Sequence, residues 1–381
     1  MKYRRFGKLD WEASVLGFGA MRLPVIDGDQ NRIDEPEAIR MIRHAIDQGV
    51  NYVDTAYPYH GGHSEALVGR ALGDGYRDKV RLATKLPPWF VSRREDFDRI
   101  LGEQLERLAT DHIDFYLLHG LNQEFWPKLR DLGVIQWAEG ELGRGRIRHL
   151  GFSFHDELEA FEKIVDAYYS WTFCQIQYNF MDVEHQAGRA GLEYAAERGL
   201  GVVVMEPIRG GQVVKKIPES IARLWARAGQ GRTIADRALQ FVWDHPGVSV
   251  ALSGMSDMTQ LEENLGSADR ARAGSLGPEE HELLKDIREK YAGLCPIACT
   301  SCGYCLPCEN GVRISRIFEL YNDGFIYQDH RRSRFLYRML PPDQQADNCQ
   351  ECGNCEEHCP QHIEVRQWLK KVHDWLGPKK S

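Results

Sequence analysis

Cysteine is almost missing from the first three quarters of this chain. Of the ten cysteines in 381 residues, only Cys174 precedes position 290, and the other nine lie between Cys295 and Cys359. That asymmetry is the clearest domain boundary in the sequence. Long apolar runs are missing too: no stretch of 18 or more apolar residues occurs, which excludes a membrane-spanning helix. The opening residues, MKYRRFGKLD, contain no apolar signal core, so secretion is not expected and a cytoplasmic protein is. Positive charge is not in excess. A formal net charge of −8 gives no reason to expect nucleic acid or an anionic membrane as partner. The short basic run Arg331, Arg332 and Arg334 reads as a solvated face or a docking patch.

Two further absences concern fold and cofactor. The dinucleotide fingerprint of a doubly wound sheet is not present: Gly17 and Gly19 are followed by Arg22 where the third glycine belongs, and Gly143 and Gly145 by Arg148. No flavin fingerprint is visible, and His60, His63 and His185 are scattered loop residues without metal-ligand spacing.

What is present is rhythm. An apolar fraction of 43% supplies ample core, and the length suits a barrel of about 250 residues plus a smaller module. Short apolar runs end near Met21, Asp54, Lys85, His119, Ser153, Tyr178, Met205 and Leu252. Helical periodicity follows each, as over 34–48, where Asp34 is an N-cap candidate and Gly49 a stop. Eight strand–helix alternations predict an α/β fold, a closed (β/α)8 TIM barrel, whose working face is the C-terminal end of its strands. The expected domains are a barrel over 1–275, a linker helix over 276–294, and a cysteine-rich module over 295–381.

Asp54, Lys85 and His119 stand at three successive strand ends, with Tyr59 in the loop after the first. A phenol of pKa ~10 is a weak acid near neutrality and needs a neighbouring cation to stabilise its phenolate; Lys85 is the candidate. Each residue alone reads as an ordinary rim or structural side chain, and Tyr57 competes with Tyr59. Their joint placement favours catalysis.

Asp54-Thr-Ala-x-x-Tyr59, Ser64-Glu65-x-x-x-Gly69, Thr84-Lys85, Asp114-x-x-Leu-Leu-His119 and Gly151-Phe-Ser153 together resemble the aldo-keto reductases, in order and spacing, over residues 1 to about 275. The resemblance implies an NAD(P)H-dependent oxidoreductase that reduces a carbonyl or oxidises an alcohol. Tyr59 would be the general acid, Lys85 held by Asp54 would assist it, and His119 would orient the carbonyl. It also implies a cofactor trail: Gly19 and Met21, Ser153 and Gln175 at the nicotinamide amide, Met205 and Pro207, and Gly254, Gln260, Glu263 and Asn264 at the adenosine end. Phe154 replaces a usual Asn, with His155 as substitute. Gly254 and Gln260 replace the cations that hold the 2′-phosphate of NADP, which tilts the reading toward NAD(H), unless Arg209 or Arg270 supplies a charge.

The cysteines form two runs, Cys299, Cys302, Cys305, Cys308 and Cys349, Cys352, Cys355, Cys359-Pro360. The second matches the C-x2-C-x2-C-x3-C-P pattern of bacterial iron–sulfur ferredoxins, in which the fourth cysteine serves the other cluster. On that logic one [4Fe–4S] cluster takes Cys299, Cys302, Cys305 and Cys359, and the other takes Cys308, Cys349, Cys352 and Cys355. A single cluster or zinc is the alternative. Glu309 replaces a proline after Cys308, which leaves Cys295 as a substitute ligand. Helical spacing over 314–321 and 333–340 resembles the helical two-cluster ferredoxin modules, and the whole chain resembles the iron–sulfur branch of the aldo-keto reductases.

Coupled hydride and electron transfer is therefore the expected function, with a small carbonyl or alcohol as substrate and a redox protein as a candidate partner. Hydride moves two electrons and a cubane takes one, so a flavin in the barrel mouth or on a partner is one way to join them. The alternatives are an electron carrier or sensor with a vestigial barrel, and a reductase whose clusters only staple the tail. Substrate, oligomeric state and redox partner are not legible, although Trp89, Phe90 and the 122–126 segment place aromatics near the mouth.

Overall fold

The structure, a computed structural model, describes residues 1–211, 213–214, 217–229 and 231–378. The chain forms two compact units, one of residues 1–208 with 232–277, the other of residues 209–231 with 278–381.

In the first unit, eight parallel strands close into a barrel: β3 (Leu16–Gly19), β4 (Tyr52–Asp54), β5 (Arg81–Leu86), β6 (Ile113–Leu121), β7 (Ile147–Phe154), β8 (Phe173–Gln177), β9 (Gly201–Met205) and β10 (Val248–Ser253). β3, β4, β8 and β10 are buried at every position. A strand covered by helices on one face and by the barrel interior on the other has no solvent side, so its sequence shows an apolar run rather than alternation. Asp34 caps helix Glu35–Asp47 as expected, its carboxylate accepting from the Glu37 amide at 3.3 Å.

Two short strands precede the barrel, β1 (Tyr3–Arg5) and β2 (Glu12–Ser14), paired antiparallel. Their hairpin brings Phe6 and Trp11 against Phe115, with ring centroids 4.7 and 5.5 Å away. Phe6, Tyr52, Phe115 and Phe173 share one buried cluster with Val203 and Val250. Gly201 lies under this plug: an added Cβ would stand 2.5 Å from the Phe6 ring. The helical region expected after His119 is two helices, Phe125–Asp131 and Val134–Arg144, separated by Gly133 at φ 81°.

The second unit is helical: Glu219–Ala226, Pro278–Ala292, Ile314–Ile326, His330–Arg338 and Val365–Leu376, with short turns between them. Helix Pro278–Ala292, read from sequence as a linker, packs on Glu219–Ala226. Arg227 donates to Asp286 at 2.9 Å between these segments. Residues 209–231 therefore group with the C-terminal unit rather than with the barrel. Its core is formed by Ile317, Phe318, Tyr337, Leu369, Val372 and Leu376, with six of the cysteines packed against it. Among the described residues no helix is long and apolar enough to cross a membrane.

Candidate functional site

Asp54 ends β4 and Lys85 lies one residue before the end of β5. Asp54 pairs with Ala83 in register, so Lys85, two residues further on and on the same side of the strand, reaches the barrel rim. Its ammonium donates to Asp54 Oδ1 at 2.6 Å, to the Thr55 carbonyl at 2.8 Å and to the Tyr59 hydroxyl at 3.3 Å. Lys85 and Asp54 are buried, and Tyr59 is 8% exposed. Burial pushes the Asp54 carboxyl above the usual carboxylate range, and the Lys85 ammonium opposes that shift. Tyr57 points elsewhere. Its phenol donates to Glu103 at 2.6 Å and its ring lies under the Arg107 guanidinium.

The His119 ring meets Tyr59 edge-on with centroids 6.1 Å apart, and Trp89 lies 5.0 Å from it. Burial first, then the positive charge of Lys85 and the neighbouring His155, hold His119 well below the usual imidazole range. The ring is therefore neutral near physiological pH, with one N–H to give and one lone pair. The pH profile of kcat/KM should accordingly run flat between about pH 6 and 8. An inflection near 6.5 that disappears in His119→Gln would contradict the assignment.

His60 does more than the plain loop residue its sequence spacing suggests. It follows Tyr59 in a turn at φ 53°, in the left-handed region. The ring is buried, accepts from the Leu23 amide at 3.2 Å through Nε2, and gives its Nδ1 proton to the Gln30 carbonyl at 2.7 Å. These two bonds tie the turn that carries Tyr59 to the segment that follows β3.

The other rim positions continue around the barrel. Ser153 and Gln175 are register partners on β7 and β8. The Gly120 amide donates to Ser153 Oγ at 2.7 Å, which leaves the hydroxyl proton available. Gln175 is buried, and its Oε1 has no hydrogen-bond partner among the described residues. A hydroxyl donor beside an orphaned amide oxygen fits a carboxamide, so the residues present suit a nicotinamide. Phe154 turns its ring onto Phe161 in the helical layer, and His155 contacts Gln186 at 3.3 Å. Met205 ends β9, with Pro207 buried two residues later.

Gly19 ends β3 beside Ser253, and Met21 lies in the turn after it. Asn264 donates to Ser253 Oγ at 3.0 Å, and Glu263 precedes it on helix Met258–Ala268. Gln260 is held by Asp257, the cap of that helix, at 2.6 Å. Arg270 is engaged with Asp236 at 3.0 Å. Sequence reasoning passed over Arg22. Its side chain lies across Gly254, where an added Cβ would stand 2.9 Å from Arg22 Cβ.

In the second unit, Cys299, Cys302, Cys305 and Cys359 line one pocket, with Ile314, Phe318, Ile363 and Val365 among its apolar walls. Spacing grouped these same four. Cys299 is pushed up to about 12 by burial, with Cys305 and Cys359 adding to the shift. Cys355 is also pushed up to about 12, by burial and then by Cys305, Glu356, Cys349 and Cys352. Sulfurs crowded in an apolar setting resist ionisation alone, and a cationic iron core would hold them as thiolates. The donor set and its apolar lining therefore fit an iron–sulfur cluster. Cys308 packs against the same core as Cys349 and Cys355, while Cys295 gives its thiol proton to the Ile297 carbonyl at 3.3 Å. Among the described residues, no three His, Cys, Asp or Glu side chains converge on a single-ion position.

Comparison with known proteins agrees with both units. Residues 15–288 match the aldo/keto reductase family, and residues 298–364 match the 4Fe-4S dicluster domain. The chain is 28% identical to aldo-keto reductase YhdN of Bacillus subtilis over 76% of its own length and 94% of that protein. It is 26% identical to the L-galactose dehydrogenase of Arabidopsis thaliana, covering 74% and 92%. Among solved structures, the holo form of aldo-keto reductase AKR11C1 from Bacillus halodurans superposes with a TM-score of 0.62 at 26% identity, covering 75% of this chain and 96% of that one. An aldo-keto reductase from Klebsiella pneumoniae in complex with NADPH superposes at 0.58 and 25%, covering 75% and 95%. Barrel, strand-end residues and cysteine module thus have one common account: the chain belongs to the aldo/keto reductase family and carries a C-terminal 4Fe-4S domain.

Proposed function

We propose that the protein moves hydride between a nicotinamide nucleotide and a small carbonyl or alcohol, coupled to electron transfer through two [4Fe–4S] clusters in its second unit. The observation that carries this reading is the Lys85 ammonium shared between Asp54 at 2.6 Å and the Tyr59 phenol at 3.3 Å. When bound, the nicotinamide supplies or accepts the hydride. Tyr59 gives a proton to the carbonyl oxygen, and Lys85 is placed to stabilise the phenolate this leaves. Neutral His119 orients the carbonyl from the other side, and the Trp89 ring beside it limits water. Ser153 and Gln175 hold the carboxamide. Gly19, Met21, Met205, Pro207, Gly254, Gln260, Glu263 and Asn264 line the rest of the nucleotide's path. The NADPH complex of the Klebsiella relative supports a nicotinamide cofactor.

Arg22, across Gly254, is the cation we assign to the nucleotide's phosphates. Arg22→Met should raise KM for the nucleotide about tenfold with kcat little changed. If steady-state kinetics give an unchanged KM with both NADH and NADPH, that assignment fails.

The clusters, when bound to Cys299, Cys302, Cys305, Cys359 and to Cys308, Cys349, Cys352, Cys355, supply one-electron transfer. A flavin or a separate redox protein would join one-electron to two-electron chemistry. A purely structural role is the second reading, favoured by the packing of six cysteines against the unit's core. Iron analysis should find about eight iron atoms per chain. Anaerobic titration with NADH and then NADPH separates the two readings. Bleaching of cluster absorbance with a new paramagnetic signal places the clusters in the circuit. Oxidised clusters, with nucleotide consumed by added aldehydes or ketones, would make the barrel a self-contained reductase.

A further inference from the structure

Thr300 lies between the first two cysteines of the first run. It is 1% exposed and lines the same pocket as Cys299, Cys302, Cys305 and Cys359. Its Oγ1 has no hydrogen-bond partner among the described residues. Buried hydroxyls are nearly always bonded, because withdrawing one from water without compensation is unfavourable. Valine has the same shape and would suit the apolar side of this pocket without that penalty. A hydroxyl here calls for an occupant that accepts a hydrogen bond.

We propose that the Thr300 hydroxyl donates a hydrogen bond to a sulfur of the cluster held in this pocket and thereby raises its reduction potential. The inference rests on the iron–sulfur reading of the second unit. Two thiolate positions around the pocket already have donors: the Ser301 amide lies 3.4 Å from Cys299 Sγ, and the Ser315 hydroxyl 3.5 Å from Cys305 Sγ. One-electron reduction adds a negative charge to the cluster and its four thiolates. A donor aimed at sulfur stabilises that more negative state, and apolar walls keep water from screening the bond. The other cysteine set includes the exposed Cys352, where solvent can take that role. Thr300 therefore acts on the cluster in this pocket alone, where it replaces the stabilisation that solvent gives the other.

The test is an anaerobic redox titration of the full-length holoprotein followed by electron paramagnetic resonance, comparing wild type, Thr300→Val and Thr300→Ser at equal iron content. In Thr300→Val one of the two signals should titrate about tenfold harder, a midpoint about 59 mV more negative for one electron. The second signal should not move, and Thr300→Ser should restore the first. Unmoved midpoints in Thr300→Val overturn the proposal. Should Thr300→Val fail to load iron, Thr300→Ala, which also lacks the hydroxyl, takes its place in the same titration. A first midpoint lowered there and restored in Thr300→Ser supports the proposal; a midpoint unmoved in Thr300→Ala overturns it. A wild-type protein purified without iron would instead remove the reading beneath the proposal.

Discussion

Tyr59→Phe is expected to lower kcat by about 10²- to 10⁴-fold, the usual contribution of a positioned general acid, while KM for the nucleotide stays within about twofold. The substitution removes one oxygen and keeps the ring, which packs edge-on to His119 and beneath the Lys85 ammonium. Lys85 keeps its shorter bonds to Asp54 and the Thr55 carbonyl. Stability should therefore barely change, and the loss should lie in the chemical step. Tyr57→Phe is the matched control. It deletes a phenol two residues away that bonds Glu103, and it should keep nearly full turnover. Steady-state kinetics with NADPH or NADH and a panel of aldehydes and ketones gives the comparison. If Tyr59→Phe retains most of its turnover, the phenol is not the acid and the barrel is not a carbonyl reductase of this kind. Electron transfer to the clusters in the same variant would then show which role survives.

The barrel was legible because its strands are buried on both faces and end where polar residues begin. Asp54, Lys85, His119, Ser153 and Gln175 could be placed at one rim from chain order alone, since parallel strands of a closed barrel share a C-terminal end. The N-terminal hairpin was not legible. Its strands have three residues each and no alternation, and Phe6 and Trp11 acquire meaning only when the barrel floor exists for them to fill. His60 and Arg22 were missed for a related reason. Each acts across the gap between β3 and the turn after β4 or β10, a distance no local pattern records. The last helix is a different case. Val365, Leu369, Val372 and Leu376 recur at helical spacing and bury one face, so the signal was present beside the more conspicuous cysteines. The grouping of 209–231 with the second unit is a tertiary choice, fixed by packing against helix Pro278–Ala292.

Lys85→Met should destabilise the protein by about 3–5 kcal/mol near pH 8, as expected when one partner of a buried ion pair is removed. Methionine fills much of the space but gives Asp54 nothing to bond. Asp54 is 2% exposed, its Oδ1 would lose a 2.6 Å donor, and its Oδ2 has no hydrogen-bond partner among the described residues. Burial already raises this carboxyl and Lys85 is the opposing influence, so the variant's folded-state pKa rises further above the unfolded value of about 3.9. The sign follows from that order. The folded variant binds the Asp54 proton more tightly than the unfolded chain does, so its stability falls as pH rises from the unfolded pKa through the folded one. The deficit relative to wild type should be smaller at pH 5 than at pH 8 in urea unfolding of the full chain. A deficit independent of pH would mean that Asp54 keeps its charge in the folded variant across this range. Adding Asp54→Asn should recover much of the stability at pH 8, because an amide is far less costly to bury than an unpaired carboxylate. Activity should not return. Lys85→Met removes the charge beside the phenol, so kcat should fall about as far as in Tyr59→Phe. The two combined should lose little more than either alone, because groups that act as a unit are not additive. Stability that recovers without turnover would separate the two roles of Lys85: neutralising Asp54, and stabilising the charge left on Tyr59.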